Sequence, residues 1–150
     1  MSTMTLSLNE AQDLSAAILA RHNASPENAV SVAKALVAAE VDGQKGHGLS
    51  RLSSYAAQSA SGKVDGQAIP RIVAQAGAAV RVDAAAGFAF PALDLARHEL
   101  AVMAPEMGVA AAGIFRSHHF GQAGYHVEKL AEQGLIGLIF GNSPKAIAPW

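Results

Sequence analysis

Two runs, Val109 to Phe115 and Leu135 to Phe140, are built from apolar residues and glycine or alanine with no polar alternation. Both are too short for stable helices, and glycines bound them: Gly108 before the first, Gly134 before the second and Gly141 after it. A strand without polar alternation is one that other structure covers on both faces, which is the condition of a central strand in a sheet flanked by helices. Tyr125 to Gln133 carries a short helical pattern between the two runs. The chain is therefore expected to be mixed α/β, with both runs as interior strands.

The first part of the chain reads differently. Ser7-Leu8-Asn9-Glu10 is a capping box, in which the serine accepts from the amide at position 10 and the glutamate reaches back. Leu8, Ala11, Leu14 and Ile18 recur at helical spacing behind it. Asn23 is a candidate left-handed stop. Ser25-Pro26 restarts a helix through Val41, and Gly43 ends it. The pair forms an αα-hairpin. A third helix is expected from Leu49 to about Gly62. Residues 70–75 and 79–83 alternate about Ala76-Gly77-Ala78 and predict a β-hairpin. Pro91 is expected to open a helix that Pro105 ends or kinks before Gly108. The division falls near residue 66: a helical head over 1–65 and an α/β body over 66–150.

With 150 residues, the length suits one domain with a real core. Hydrophobic residues make up 51% and charged residues 15%, against about 25% charged in ordinary domains, so part of the surface is expected to be covered by further chain or a partner. A net charge of −1 gives no electrostatic case for nucleic acid. With no cysteine, disulfides and thiolate metal sites are excluded. The start of the chain lacks a signal-peptide pattern, and no run of about 18 apolar residues occurs. The expectation is a cytoplasmic protein without a membrane partner.

Three places carry candidate chemistry. His47 stands at the entrance of the third helix, and Arg51 lies about one turn along it. An imidazole titrating near about 6.5 trades protons at neutral pH, and a guanidinium clamps a carboxylate with two parallel hydrogen bonds. Together they suit a 2-oxo or 2-hydroxy acid. The same spacing also suits a capping histidine and a solvated arginine. The second place is His118-His119-Phe120-Gly121, delivered by the first apolar run. Adjacent histidines can hold a metal, yet two ligands with no cysteine or carboxylate cluster make a poor zinc set. They can equally face a ligand at the carboxyl edge of a sheet. The third is Asn142-Ser143-Pro144, a turn whose short polar side chains can also hold an amide or phosphate. No Gly-x-Gly-x-x-Gly fingerprint follows a strand, and no Walker loop or nucleophile elbow occurs.

Taken in order, several segments resemble the malate/L-lactate dehydrogenase family that is distinct from the Rossmann-type lactate and malate dehydrogenases. Its branches include ureidoglycolate dehydrogenase, sulfolactate dehydrogenase and the Δ1-piperideine-2-carboxylate (cyclic ketimine) reductases. The segments are Ala39-Glu40-Val41-Asp42-Gly43, His47-Gly48-Leu49-Ser50-Arg51-Leu52, Val80-Arg81-Val82-Asp83 with Gly87-Phe88, and Arg116-Ser117-His118-His119-Phe120-Gly121. Gly124-Tyr125, Gly134-Leu135-Ile136-Gly137, Asn142-Ser143 and Ala148-Pro149-Trp150 follow. The resemblance implies a non-Rossmann cofactor-binding fold, NAD or NADP, and hydride transfer to a 2-oxo acid or cyclic imino acid. It implies a usual homodimer. It assigns His47 as the catalytic histidine and Arg51 to the substrate carboxylate or a proton. It gives His119, Phe120, Gly121, Gln122 and Ala123 to the nicotinamide cofactor, with His119 a second acid–base candidate that also touches substrate. Ser143 matches a cofactor-contacting serine. No metal is implied.

This sequence departs from the family pattern in two ways. Gly46 stands where the family has a serine that takes part in a relay with a later aspartate. The family's members are also more than twice as long. The expectation is an oxidoreductase seen as an N-terminal fragment, inactive by itself and incomplete at its C-terminus. The alternative is a non-catalytic truncated homologue, or half of a split enzyme that needs a partner chain.

Overall fold

The structure, a computed structural model, describes residues 5–142. The capping box closes as the sequence requires. The Ser7 hydroxyl accepts from the Glu10 amide, and the Ser7 amide donates to the Glu10 carboxylate at 2.8 Å. Helix α1 spans Leu8–Arg21, and Asn23 takes the left-handed conformation at φ 68. Helix α2 spans Pro26–Val41, capped by the Ser25 hydroxyl. A 3-10 turn, Leu49–Arg51, leads into α3, Leu52–Ala60.

The three helices share a core of Leu19, Val32, Leu36, Tyr55 and Val64, into which Phe88 and Phe90 of the body insert. Buried Asn28 ties the same junction, since its amide group donates to the carbonyls of Gly66 and Ala68 at 2.8 and 2.9 Å.

The body holds one sheet in the order β1-β2-β3: Arg71–Ala76, Ala79–Asp83 and Ala111–Phe115. β1 and β2 form the expected antiparallel hairpin, with an irregularity between Ile72 and Ala74. β2 and β3 run parallel, Ala79 opposite Ala111 through Asp83 opposite Phe115. Parallel neighbours need a crossover. Here it is α4, Ala89–Met107, which packs Ala92 and Ala96 on Val82 and Ala84. Helix α5, Ala123–Ala131, follows β3. The fold is thus mixed α/β, as the sequence predicts. No helix among the described residues is long and apolar enough to cross a membrane.

Helix α4 ends at Met107, before Gly108 as expected and within two residues of Pro105, whose missing amide removes a single helical bond. Two expectations are corrected. β3 is not an interior strand among the described residues: it is the edge of the sheet, with β2 on one side. Residues 135–140 form no ladder among the described residues. Their side chains alternate between partly covered and bare, with Ile136 97%, Leu138 80% and Phe140 87% exposed. Apolar composition specifies that a strand is to be covered, but not which segment covers it.

The carboxyl ends of β2 and β3 are joined beyond the ladder. Ala84 donates to the Phe115 carbonyl, Ala86 to that of Arg116, and His118 to that of Gly87. Buried Asp83 accepts from Arg116 at 2.9 and 2.6 Å and from the Ala85 amide at 2.8 Å. The Arg116 hydrogen bonds first, then the Ala85 amide, hold the Asp83 carboxyl below its ordinary value. This crossing twists Ala85, Ala86 and Arg116 into positive φ of 54, 61 and 50. A side-chain-bearing residue held there loses about 1–2 kcal/mol, which glycine regains apart from its greater unfolded-state entropy. Ala86 is exposed and contributes no packing. Ala86→Gly is therefore expected to stabilise the protein by about 0.5–1 kcal/mol, read as a higher urea midpoint at constant m-value.

Candidate active site

The loop between α2 and the 3-10 turn is set by Glu40, whose carboxylate accepts the Leu49 amide at 3.0 Å. Gly48 passes so close that a Cβ on it would fall 2.3 Å from the Glu40 carboxylate and 3.2 Å from its amide nitrogen. This approach folds His47 inward, half-buried, with its Nδ1 unpartnered among the described residues. Arg51 folds back on the same loop, its Nε donating to the Gly46 carbonyl at 2.6 Å. It makes no ion pair among the described residues.

The segment leaving β3 meets this loop from the other side. The His47 and His119 rings stack, with centroids 5.4 Å apart and planes within 12°. Two imidazoles 72 residues apart in sequence, the positions 47 and 119, are thereby brought face to face. His47, Gln44, Phe120, Gly121, Gln122, Ala123 and Gly124 line one cavity of about 410 Å³. Gln122 closes its rim by donating to Asp42 at 2.6 Å. His126, in α5, donates from Nε2 to the Phe120 carbonyl at 2.8 Å and so fixes the backbone that carries the cavity wall.

Tyr55 was not expected at the site. Its spacing with Leu52 and Ala56 reads as the core stripe of a helix, and it is 2% exposed. Yet its hydroxyl stands 2.7 Å from His119 Nδ1. The Gly121 amide donates to the same nitrogen at 3.2 Å. An atom that receives an N–H is a lone-pair acceptor, so the tyrosine donates to it as well, and the His119 proton resides on Nε2. Burial, opposed by nearby Arg51, pushes the Tyr55 phenol up to about 12, which keeps it a donor. Only the pairing of a tyrosine on the helix that follows Arg51 with a histidine pair elsewhere could have signalled this.

The adjacent histidines have separate fates. His118 turns inward, half-buried, against the edge of Tyr55 at 5.1 Å, and its Nε2 lies 2.9 Å from Gln58 Oε1. Burial, then His119 and Lys63, lowers its imidazole to about 4. His119 is exposed to the site and is lowered by burial, then by His47 and Arg51. Among the described residues no three side chains of metal-binding type converge. Asn142 lies against a different cavity, beyond β3, and Ser143 lies outside the described residues.

The sequence profile of the malate/L-lactate dehydrogenase family matches residues 6–150. This chain belongs to that family. It is 46% identical over 150 residues to the (2R)-3-sulfolactate dehydrogenase (NADP(+)) of Chromohalobacter salexigens, covering all of this chain and 44% of that enzyme. It is 43% identical over 140 residues to the Δ1-pyrroline-2-carboxylate/Δ1-piperideine-2-carboxylate reductase of Pseudomonas putida, covering 93% and 41%. The crystal structure of the Δ1-piperideine-2-carboxylate reductase of Pseudomonas syringae pv. tomato superposes with a TM-score of 0.84 at 43% identity, covering 88% of this chain and 40% of that one. The chain thus spans less than half the length of the family members it matches.

His118, His119 and His126 all hold their imidazoles below the unfolded value of 6.5, each chiefly through burial. Below that value the unfolded chain takes up protons that the fold refuses. Stability is therefore complete above about pH 6.5 and falls as pH drops toward the folded values. The urea midpoint is expected to fall between about pH 7 and about pH 4.5, and His118→Gln should flatten that fall. An unchanged slope in the variant would exclude His118 as a source.

Proposed function

We propose that this chain carries the substrate-facing part of an NAD(P)-dependent oxidoreductase. Its reaction moves hydride between the cofactor and C2 of a 2-oxo/2-hydroxy acid or a cyclic imino acid. The observation that carries this reading is the stacked His47–His119 pair, with the Arg51 charge near enough to act on His119 and with His47 lining a cavity walled by Phe120 to Gly124. The names of the matched relatives, a sulfolactate dehydrogenase using NADP(+) and reductases of cyclic imino acids, supply the substrate class. In this reading residues 1–65 form the head that presents His47 and Arg51, and residues 66–150 begin the cofactor-binding domain. The working protein is a cytoplasmic homodimer.

The wall suits a nicotinamide. Gly121, at φ 72, and Gly124 put bare backbone beside the aromatic Phe120. A Cβ at Gly124 would meet nothing within 4 Å, so the wall is open to a flat group. The amino end of α5 has no side-chain cap, because Gln122 is turned to Asp42; its first amides are left for a carboxamide or an anion. His119, Phe120, Gly121, Gln122 and Ala123 would hold the group, with Ser143 as a further contact. A bound nicotinamide supplies or accepts the hydride.

The chain's own residues do the rest. The Arg51 Nη groups clamp the substrate carboxylate. His47 gives a proton to the carbonyl oxygen or imine nitrogen as C2 is reduced, and takes it back in the reverse direction. His119, neutral and with its proton on Nε2, donates a hydrogen bond toward the substrate and the cofactor carboxamide. Tyr55 and the Gly121 amide keep it in that tautomer.

The test is the protein as its cell makes it, assayed for NADH and NADPH oxidation with pyruvate, oxaloacetate, 3-sulfopyruvate and the two cyclic imino acids. Turnover with at least one pair is expected; none with any pair leaves the non-catalytic homologue. With an active pair, His47→Asn should lower kcat by about 10²–10⁴-fold with cofactor affinity retained. Arg51→Lys should chiefly raise KM. His119→Asn should weaken cofactor binding as well as turnover.

A further inference from the structure

Asp42 is a carboxylate that its own helix does not ask for. It is the C-cap of α2, at the negative end of the helix dipole, and the last turn of α2 carries no basic residue. Glu40 stands in that same turn, so two like charges meet there. The Glu40 carboxylate is accounted for, because it accepts the Leu49 amide and so sets the His47 loop. Asp42 has no such duty. It is exposed and makes no ion pair among the described residues. Its side-chain partner is Gln122, 80 residues away, whose Nε2 donates to Oδ2 at 2.6 Å.

We propose that Asp42 is a specificity-determining residue. Held at the cavity rim by Gln122, its charge turns away acids that carry a second anionic group. The site then takes acids whose single anionic group is the carboxylate at Arg51. The proposal rests on the catalytic reading and adds a rule of charge to it.

The bond to Gln122 places the charge. Gln122 lines the cavity that His47 also lines, and it is the N-cap of α5, where a side chain ordinarily turns to the helix amides. Here it turns to Asp42 instead. A carboxamide is a neutral donor, so it orients the carboxylate without cancelling its charge. A cavity of about 410 Å³ keeps a small acid within roughly one Debye length of its rim, about 8–10 Å at ordinary ionic strength.

The lining supplies nothing to offset that charge. It consists of Gln44, His47 and the run Phe120 to Gly124, with no lysine or arginine among the described residues. His47 is its one titratable member, and in the catalytic reading its proton serves the reacting atom. Arg51 answers one carboxylate. The sulfonate of 3-sulfopyruvate or the second carboxylate of oxaloacetate therefore meets the field of Asp42 without a cation of its own. Pyruvate and the cyclic imino acids carry no second anionic group. Overall similarity does not make this choice. Identity is 46% to a relative named for a sulfonate substrate and 43% to one named for cyclic imino acids, so the local charge has to.

The test uses the protein as its cell makes it and its Asp42→Asn variant. It compares kcat/KM for oxaloacetate and 3-sulfopyruvate with that for pyruvate. Asparagine keeps an acceptor oxygen for Gln122 and relieves the end of α2 of a like charge, so the variant retains the fold. The carboxylate common to all three acids cancels in the ratio. Removing the charge should raise the ratio of dianion to monoanion by about 5- to 20-fold at low salt. The gap between variant and parent should narrow as salt is added. Glu106→Gln removes an exposed charge near the end of α4, beside the start of β3 and away from the site, and should leave the ratio unchanged. An unaltered ratio in Asp42→Asn overturns the proposal while turnover leaves the catalytic reading standing. An equal rise in Glu106→Gln overturns it too, since net charge and not the rim then sets the preference. If no acid is turned over, the same ratio is read from calorimetric affinities for 3-sulfopyruvate and pyruvate. A shift in Asp42→Asn then supports the rim charge with the hydride chemistry lost, and binding of neither acid overturns both.

Discussion

The candidate site depends on the crossing of two chain segments at the carboxyl ends of β2 and β3. The parallel ladder does not stop at Asp83 and Phe115; it is carried on by Ala84, Ala86 and His118 into what would otherwise be two independent loops. Asp83 and Arg116 lock the crossing, with both carboxylate oxygens engaged. The segment that leaves it is held against Gly87 and the aromatic pair Phe88 and Phe90, and so against the helical head. A carboxylate that is buried and met by two guanidinium hydrogen bonds and an amide resists rearrangement, because losing one partner leaves a charge without compensation. Three residues in the left-handed region are the conformational cost of that crossing, and they cluster next to the site, where such strain is commonly retained.

How much of this was legible in the sequence follows from how local each cause is. The capping box, the Ser25 cap and the Asn23 stop are decided within a few residues, and the structure keeps all three. The hairpin was legible for the same reason. The pairing of β3 was not, since it depends on a crossover helix and on which strand reaches it first. Residues 135–140 carry the composition of a buried strand, yet the residues that would bury them are not in the described part of the chain. His118 and His119 are the sharpest case. They are indistinguishable by composition, but one packs against Tyr55 and Phe88 and the other against His47. Tyr55 was hidden by its own spacing, which serves the core and the site at once: ring in the core, hydroxyl on His119.

That double service has a consequence for which histidine moves the proton. Two stacked imidazoles disfavour a second charge, and the effect of His47 on His119 has that sign. The His119 lone pair on Nδ1 is already taken by Tyr55 and by the Gly121 amide, so to gain a proton this ring must give up both donors. His47 carries no such obligation, since its Nδ1 has no partner among the described residues. The ring that can change protonation state without breaking a hydrogen bond is His47, and the ring fixed in one tautomer is His119. Replacing the Tyr55 hydroxyl removes the asymmetry without removing either histidine. In an active form of the protein, Tyr55→Phe should lower kcat about 10-fold. It should also shift the acid limb of the kcat/KM profile, because His119 then competes for the proton. A Tyr55→Phe enzyme with reduced stability but an unaltered pH profile would show that the tyrosine serves the core alone.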